Sequence, residues 1–256
     1  MFRTFSRSIS VYVTWFNVSS TGHCYHADLN LTTGQFMDFK PLNLLSPNDY
    51  TPLLQGIPFY KTVRDQDPQQ YATLLQNSQL GCFGPGDTLL AEGDYDFWLY
   101  FLLRGQLDVF PGCSERQEAI NQVTPGEVFG DLSMLTGRRR SATIKADLNS
   151  KQTTVLGLDF RVFGAVADFS SLTLETKLVY YRNSAHNLRW KLEVYRMKNP
   201  KSELAVQHRA LKLFSGKRGS FEELLSLEQE AKALAVLLTA WNSPREAQSA
   251  PIVAVR

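Results

Sequence analysis

The stretch from Gly126 to Ala142 constrains this chain more than any other. An apolar pair, Val128-Phe129, runs into Gly130 and an acid, Asp131. Leu132, Ser133, Met134 and Leu135 give one mostly apolar helical turn, followed by Thr136, a second glycine, Gly137, and three arginines, Arg138, Arg139 and Arg140. Strand-like alternation resumes at Ala142-Thr143-Ile144-Lys145-Ala146. A short helical turn that starts beside a glycine offers unpaired backbone N–H groups to an anion. An arginine a few residues on can fork onto two phosphate oxygens, and an acid at the start of the turn can accept hydrogen bonds from sugar hydroxyls. Together these describe a pocket for a phosphorylated sugar. Taken alone, three arginines are more often a solvated surface loop, and Arg138-Arg139-Arg140-Ser141 also has the form of a basophilic kinase site.

Around this stretch the chain changes character twice. Ile9, Val11, Val13 and Trp15 alternate like a half-buried strand, and residues 26–39 read as a hairpin about Thr32-Thr33-Gly34. Residues 1–43 are therefore expected to form an N-terminal β appendage. His23, Cys24 and His26 lack the further ligands a metal would need. Ser46-Pro47-Asn48-Asp49 starts a helix, with Leu53, Leu54, Ile57 and Phe59 as its apolar face, and a second helix is expected over Pro68–Gln79. Strands follow at short intervals up to Phe163, with turns at Pro85-Gly86-Asp87, Glu92-Gly93-Asp94, Arg104-Gly105 and Pro125-Gly126-Glu127. About eight strands with this turn spacing point to an α+β protein built on a β-roll or jelly roll.

Beyond the roll the pattern is helical. Leu174, Leu178, Tyr181, Ala185, Leu188, Leu192 and Tyr195 recur at alternating steps of 4 and 3, an a/d seam. Asn199-Pro200 ends that helix. Ser220 and Glu223 form a capping box, and Leu224, Leu227, Ala231, Leu234, Leu238 and Trp241 give a second seam. Residues 199–242 thus read as basic linker and amphipathic helix, and 243–256 as a loose tail.

Phe129-Gly130-Asp131-Leu132-Ser133-Met134 and Arg140-Ser141-Ala142 resemble the phosphate-binding cassette of the cyclic nucleotide-binding domain family. Leu54-Gln55-Gly56-Ile57-Pro58-Phe59-Tyr60 resembles the family's lead-in, and the paired Pro-Gly-acid turns also match, so the likeness covers about residues 44–165. It implies that Arg140 holds the cyclic phosphate and Asp131 the ribose 2′-hydroxyl. Phe129, Gly130, Leu132, Ser133, Ser141 and Ala142 would complete the cassette. The family usually has Glu where Asp131 stands, about 1.5 Å longer in reach, and Ala where Ser133 stands. The helix after the roll, residues 166–198, would be the lid over the base, with Arg189 as its contact near Asn187 and Trp190. In the bacterial receptor branch that helix pairs with its twin, which implies a homodimer through 174–195; a seam of this kind could also pack on the roll within one chain.

Function then follows as expectation. The ligand is a cyclic nucleotide, with cAMP favoured, and there is no catalytic residue, metal or other cofactor. A cupin metal enzyme needs histidines in its barrel, yet none of the four histidines falls between residues 79 and 163. Binding would change the C-terminal helical region and control a protein partner. The alternatives are a DNA-binding regulator of the cyclic-AMP receptor type, a cyclic di-GMP binder and a ligand-free scaffold. Against DNA, residues 199–242 lack a two-helix pattern with a wing. Nine bases in residues 187–218 face two acids, while residues 65–131 hold eleven acids against two bases. The basic segment therefore suits an acidic partner or the chain's own body. Cys24, Cys82 and Cys113 show no metal or redox spacing, so reduced thiols and a cytoplasmic setting are expected. No apolar run approaches the ~20 residues of a membrane span.

Overall fold

The structure is a computed structural model that describes residues 39–111 and 118–242. The expected N-terminal strand and hairpin, His23, Cys24 and His26, and the tail 243–256 lie outside the described residues.

Proline opens each of the first three helices: α1 (Pro47–Leu54), α2 (Pro58–Gln66) and α3 (Pro68–Gln76). Its fixed φ suits the first helical position, where a backbone N–H has no intrahelical partner. Asp67 caps α3 by accepting from the N–H groups of Gln69 and Gln70, both at 3.0 Å. Two corrections follow. The apolar run from Leu53 to Phe59 is divided between α1 and a separate helix, α2. The helix expected to reach Gln79 ends at Gln76, because the chain from Ser78 is claimed by a sheet.

The strands are β1 (Phe39–Pro41), β2 (Ser78–Phe83), β3 (Thr88–Leu90), β4 (Trp98–Arg104), β5 (Leu107–Phe110), β6 (Asn121–Val123), β7 (Val128–Phe129), β8 (Thr143–Ala146) and β9 (Thr153–Asp159). They form two antiparallel sheets, ordered β1-β2-β9-β4-β7 and β3-β8-β5-β6. β1 pairs with β2 through Phe39 and Gly81, so residues 39–41 belong to the roll and not to an appendage. β4 shows why this strand is apolar throughout. Tyr100 and Leu102 face the core between the sheets, while Leu99 and Phe101 face the helices. Cys82 on β2 is disulfide-bonded, which corrects the expectation of reduced thiols.

α4 (Asp131–Thr136) lies between β7 and β8. Gly130 before it and Gly137 after it take φ of +75° and +65°. Then come α5 (Leu174–Lys198), α6 (Glu203–Ala210) and α7 (Phe221–Asn242). The Lys177 ammonium, buried on α5, donates to the carbonyls of Ala165 (2.7 Å) and Asp168 (2.5 Å) and ties down the turn that precedes the helix.

α5 and α7 lie side by side and run parallel. Arg182 pairs bidentately with Glu223 at 2.8 and 2.6 Å. One heptad on, Arg189 pairs with Glu230 at 3.1 and 2.6 Å. Tyr195 stacks on Trp241 with ring centroids 5.6 Å apart. Leu178, Tyr181, Ala185, Leu188 and Leu192 are buried, as are Leu224, Ala231, Leu234 and Leu238. The two seams read from the sequence therefore fill each other, flanked by ion pairs in coiled-coil fashion. Of the two readings of the 174–195 seam, the structure shows the one in which it is covered from within one chain, by α7. The capping box forms in modified form. Ser220 Oγ accepts from the N–H of Glu223 (3.2 Å), whose carboxylate reaches the N–H of Gly219 (2.6 Å).

Candidate nucleotide-binding site

Three elements build the site. β7 carries Phe129 to the end of the five-stranded sheet, Gly130 turns the chain, and α4 presents its first residues. A Cβ at Gly130 would stand 2.6 Å from Arg140 Nη1, so glycine is required there for space as well as for its positive φ. The strand-leading segment with Arg140 and Ser141 closes the other side. Its register is held by the N–H of Arg140 donating to Asp94 O (2.8 Å) and the N–H of Gly93 donating to Arg140 O (2.9 Å). Phe129, Gly130, Asp131, Leu132, Ser133, Arg140, Ser141 and Ala142 all line one cavity of about 70 Å³.

Arg140 is 4% exposed, and its guanidinium makes five hydrogen bonds to protein. Nη1 donates to Gly130 O (2.5 Å) and Ser133 Oγ (2.7 Å). Nη2 donates to Trp98 O (2.6 Å) and to Asp96 Oδ1, and Nε donates to Asp96 Oδ2 (3.1 Å). A guanidinium has five N–H groups, so a phosphate must displace a partner already in place. Ser133 Oγ, which itself donates to Gly130 O (3.0 Å), is the partner supplied by a neutral side chain.

Asp131 is in the opposite condition. It is 4% exposed, and its Oδ2 has no hydrogen-bond partner. Burial pushes its carboxyl above the ordinary range. Lys191, the backbone N–H groups at the start of α4, and Arg140 pull it back in part. A buried carboxylate oxygen without a donor suits a ligand hydroxyl.

Arg189, expected to contact the base, does not line this cavity. Its guanidinium is held by Glu230 in the α5–α7 interface. Trp190 is 64% exposed, and Asn187 lines a different cavity. The residues that reach the site instead are Lys191 of α5, 3.8 Å from Glu127, and Leu238 and Asn242 at the end of α7. Asn242 Oδ1 accepts from Tyr195 Oη at 3.1 Å. The seam periodicity marks Leu238 as inward-facing, but nothing local says which surface it meets. Lys191 and Asn242 carry no such signal.

Residues 82–167 match the family model described as cyclic nucleotide-binding domain. This part of the chain is a cyclic nucleotide-binding domain. The domain is 28% identical over 102 residues to a cAMP-dependent protein kinase regulatory subunit of Colletotrichum orbiculare, covering 40% of this chain and 25% of that protein. It is 32% identical over 81 residues to the human potassium/sodium hyperpolarization-activated cyclic nucleotide-gated channel 3, covering 32% of this chain and 10% of the channel. The chain thus spans a quarter or less of these relatives. Among solved structures it is similar to a cyclic nucleotide-binding domain from Methylobacillus flagellatus, at TM-score 0.47 and 19% identity, covering 64% of this chain and 96% of that one. Among the described residues no cluster of histidine, cysteine and carboxylate side chains could hold a metal, and no helix is long and apolar enough to cross a membrane.

Proposed function

We propose that the chain is a non-enzymatic sensor of a cyclic nucleotide, most readily cAMP, whose binding changes the setting of α7 and so controls contact with a protein partner. The observation that carries this reading is Asp131. Its unpartnered, buried Oδ2 shares one cavity with the Arg140 guanidinium. A 2′-hydroxyl would satisfy the first, and a cyclic phosphate would take the place of Ser133 Oγ on the second. The fungal relative named for cAMP supports the choice of nucleotide.

The lid in this reading is α7 and not α5. Small-molecule sites usually enclose roughly 300–1,000 Å³, and the cavity of about 70 Å³ is bounded by Leu238 and Asn242. A nucleotide therefore needs the last turn of α7 to shift. By linkage it moves α7 only as far as it prefers one setting to the other. A DNA-binding role is less supported, because residues 199–242 form α6 and α7 with no strand to make a wing. Calorimetric titration with cAMP, cGMP and cyclic di-GMP tests the proposal. Binding of cAMP by the intact chain, lost in Asp131→Ala, is the expected result. Failure of all three nucleotides to bind would leave the scaffold alternative.

A further inference from the structure

A larger cavity runs along the α5–α7 pair, bordered by the segment that leads from α6 into α7. Its volume is about 810 Å³, within the range of small-molecule sites, and it shares no lining residue with the cassette cavity. Arg182, His186 and Arg189 stand at steps of 4 and 3 on α5, which sets them in one stripe along the helix, and all three line the cavity. Arg218 joins them from the connecting segment. Glu223 and Glu230 also line the cavity, but their side chains are only 7% exposed, against 44% for Arg182 and 28% for Arg189. Each glutamate is engaged through Nε and Nη2 of its arginine, which leaves both Nη1 groups outside the pairs. The two carboxylates are thereby balanced, and Arg218 is a charge in excess. The Glu223 carboxyl lies below its usual range, first through its bonds to Arg182 and also through the nearby charge of Arg218, so Arg218 stands at the Arg182 end of the stripe. A solute in the cavity therefore meets guanidinium more than carboxylate. Phe214 folds back over Gly216, where a Cβ would stand 2.5 Å from its ring, and with Leu213 and Leu227 it gives the cavity an apolar border.

We infer that this cavity binds a small organic phosphate ester. The phosphate lies at the Arg182–Arg218 end, where two guanidiniums can fork onto its oxygens. The apolar body of the ligand rests against Leu213, Phe214 and Leu227. A phosphate monoester carries close to two negative charges at neutral pH, which suits a site with more than one guanidinium and no unbalanced carboxylate. A cation would meet the excess positive charge, and a neutral molecule would leave the guanidinium N–H groups to water. The site stands apart from the cassette, and the inference does not rest on cyclic nucleotide binding there.

Titration of the full chain with phenyl phosphate, followed by the amide NMR signals of the protein, tests the site. The expected result is saturable binding with shifts at Ala185, Gly216 and Leu227, weakened by added salt. Benzamide, of similar shape but uncharged, should bind roughly tenfold or more weakly because it lacks the charge-assisted bonds. Benzoate separates phosphate from carboxylate as the preferred anion and should also bind more weakly. Arg218→Gln removes an exposed side chain that forms no ion pair among the described residues, so the fold should survive while phenyl phosphate binding weakens by about 3- to 10-fold. Lack of saturation, benzamide or benzoate binding as tightly as phenyl phosphate, unchanged affinity in Arg218→Gln, or shifts confined to residues 130–133 of the cassette would overturn the inference.

Discussion

Ser133 Oγ accepts a hydrogen bond from Arg140 Nη1 at 2.7 Å, inside the cassette cavity. If Arg140 holds a cyclic phosphate, as proposed above, the serine competes with that phosphate for its N–H. Ser133→Ala frees that N–H. A net hydrogen bond is worth about 0.5–1.5 kcal/mol, so nucleotide affinity should rise by roughly 3- to 10-fold in calorimetry. A fall in affinity would show instead that Ser133 donates to the ligand.

Arg140 is part of the fold as well as of the site. Its five bonds join α4, β4 and the Asp96 turn, and its side chain is 2% exposed beside an Asp96 that is 30% exposed. Arg140→Ala should lower stability by about 2–3 kcal/mol, below the full cost of breaking a buried pair because Asp96 keeps contact with water. Denaturant unfolding checks this. A variant as stable as the wild type would mean that the network contributes nothing net.

Asp131 ties stability to pH. Its carboxyl titrates above the ordinary 3.8 because of burial. The folded state therefore holds this proton more tightly than the unfolded chain does. Stability falls as pH rises from about 3.8 through the raised value, and the cost is complete above it. Asp131→Asn should be about 1–2 kcal/mol more stable than the wild type at pH 7, with the gain disappearing as pH falls below about 4. The same change should weaken nucleotide binding. A stability gain independent of pH would rule out this carboxyl as its source.

The α5–α7 seam predicts a stability effect without an assembly effect. Leu188 is 1% exposed and packed within the chain. Leu188→Ala should cost about 2–5 kcal/mol while leaving the molar mass in light scattering equal to that of the wild type. A drop in mass would restore the seam to a dimer interface.

Hydrogen exchange locates the lid. Saturating cAMP should change protection in the last turns of α7, around Leu238 to Asn242, and at α4, more than in α6. Change confined to α5 would return the lid role to that helix.

Much of the domain was legible because its signals are local. Glycine at a left-handed position, proline at a helix start and alternation along a strand act through their own backbone, so the cassette, the roll and the 4-and-3 seams could be read from the residues. Ser78–Phe83 was misjudged at its start because a strand facing two cores has no alternation to distinguish it from a helix end. The seams specified that two helical faces must be covered, but hydrophobic burial has no direction and does not say by what. Only tertiary structure decided that α7, brought round by α6 to run parallel to α5, takes the place of a second copy. The same arrangement drew Arg189 out of the site and into a pair with Glu230, and set Leu238 and Asn242 over Asp131 in its stead. An arginine's partner depends on which carboxylate the packed helices bring within hydrogen-bonding reach, and that distance is not written along the chain.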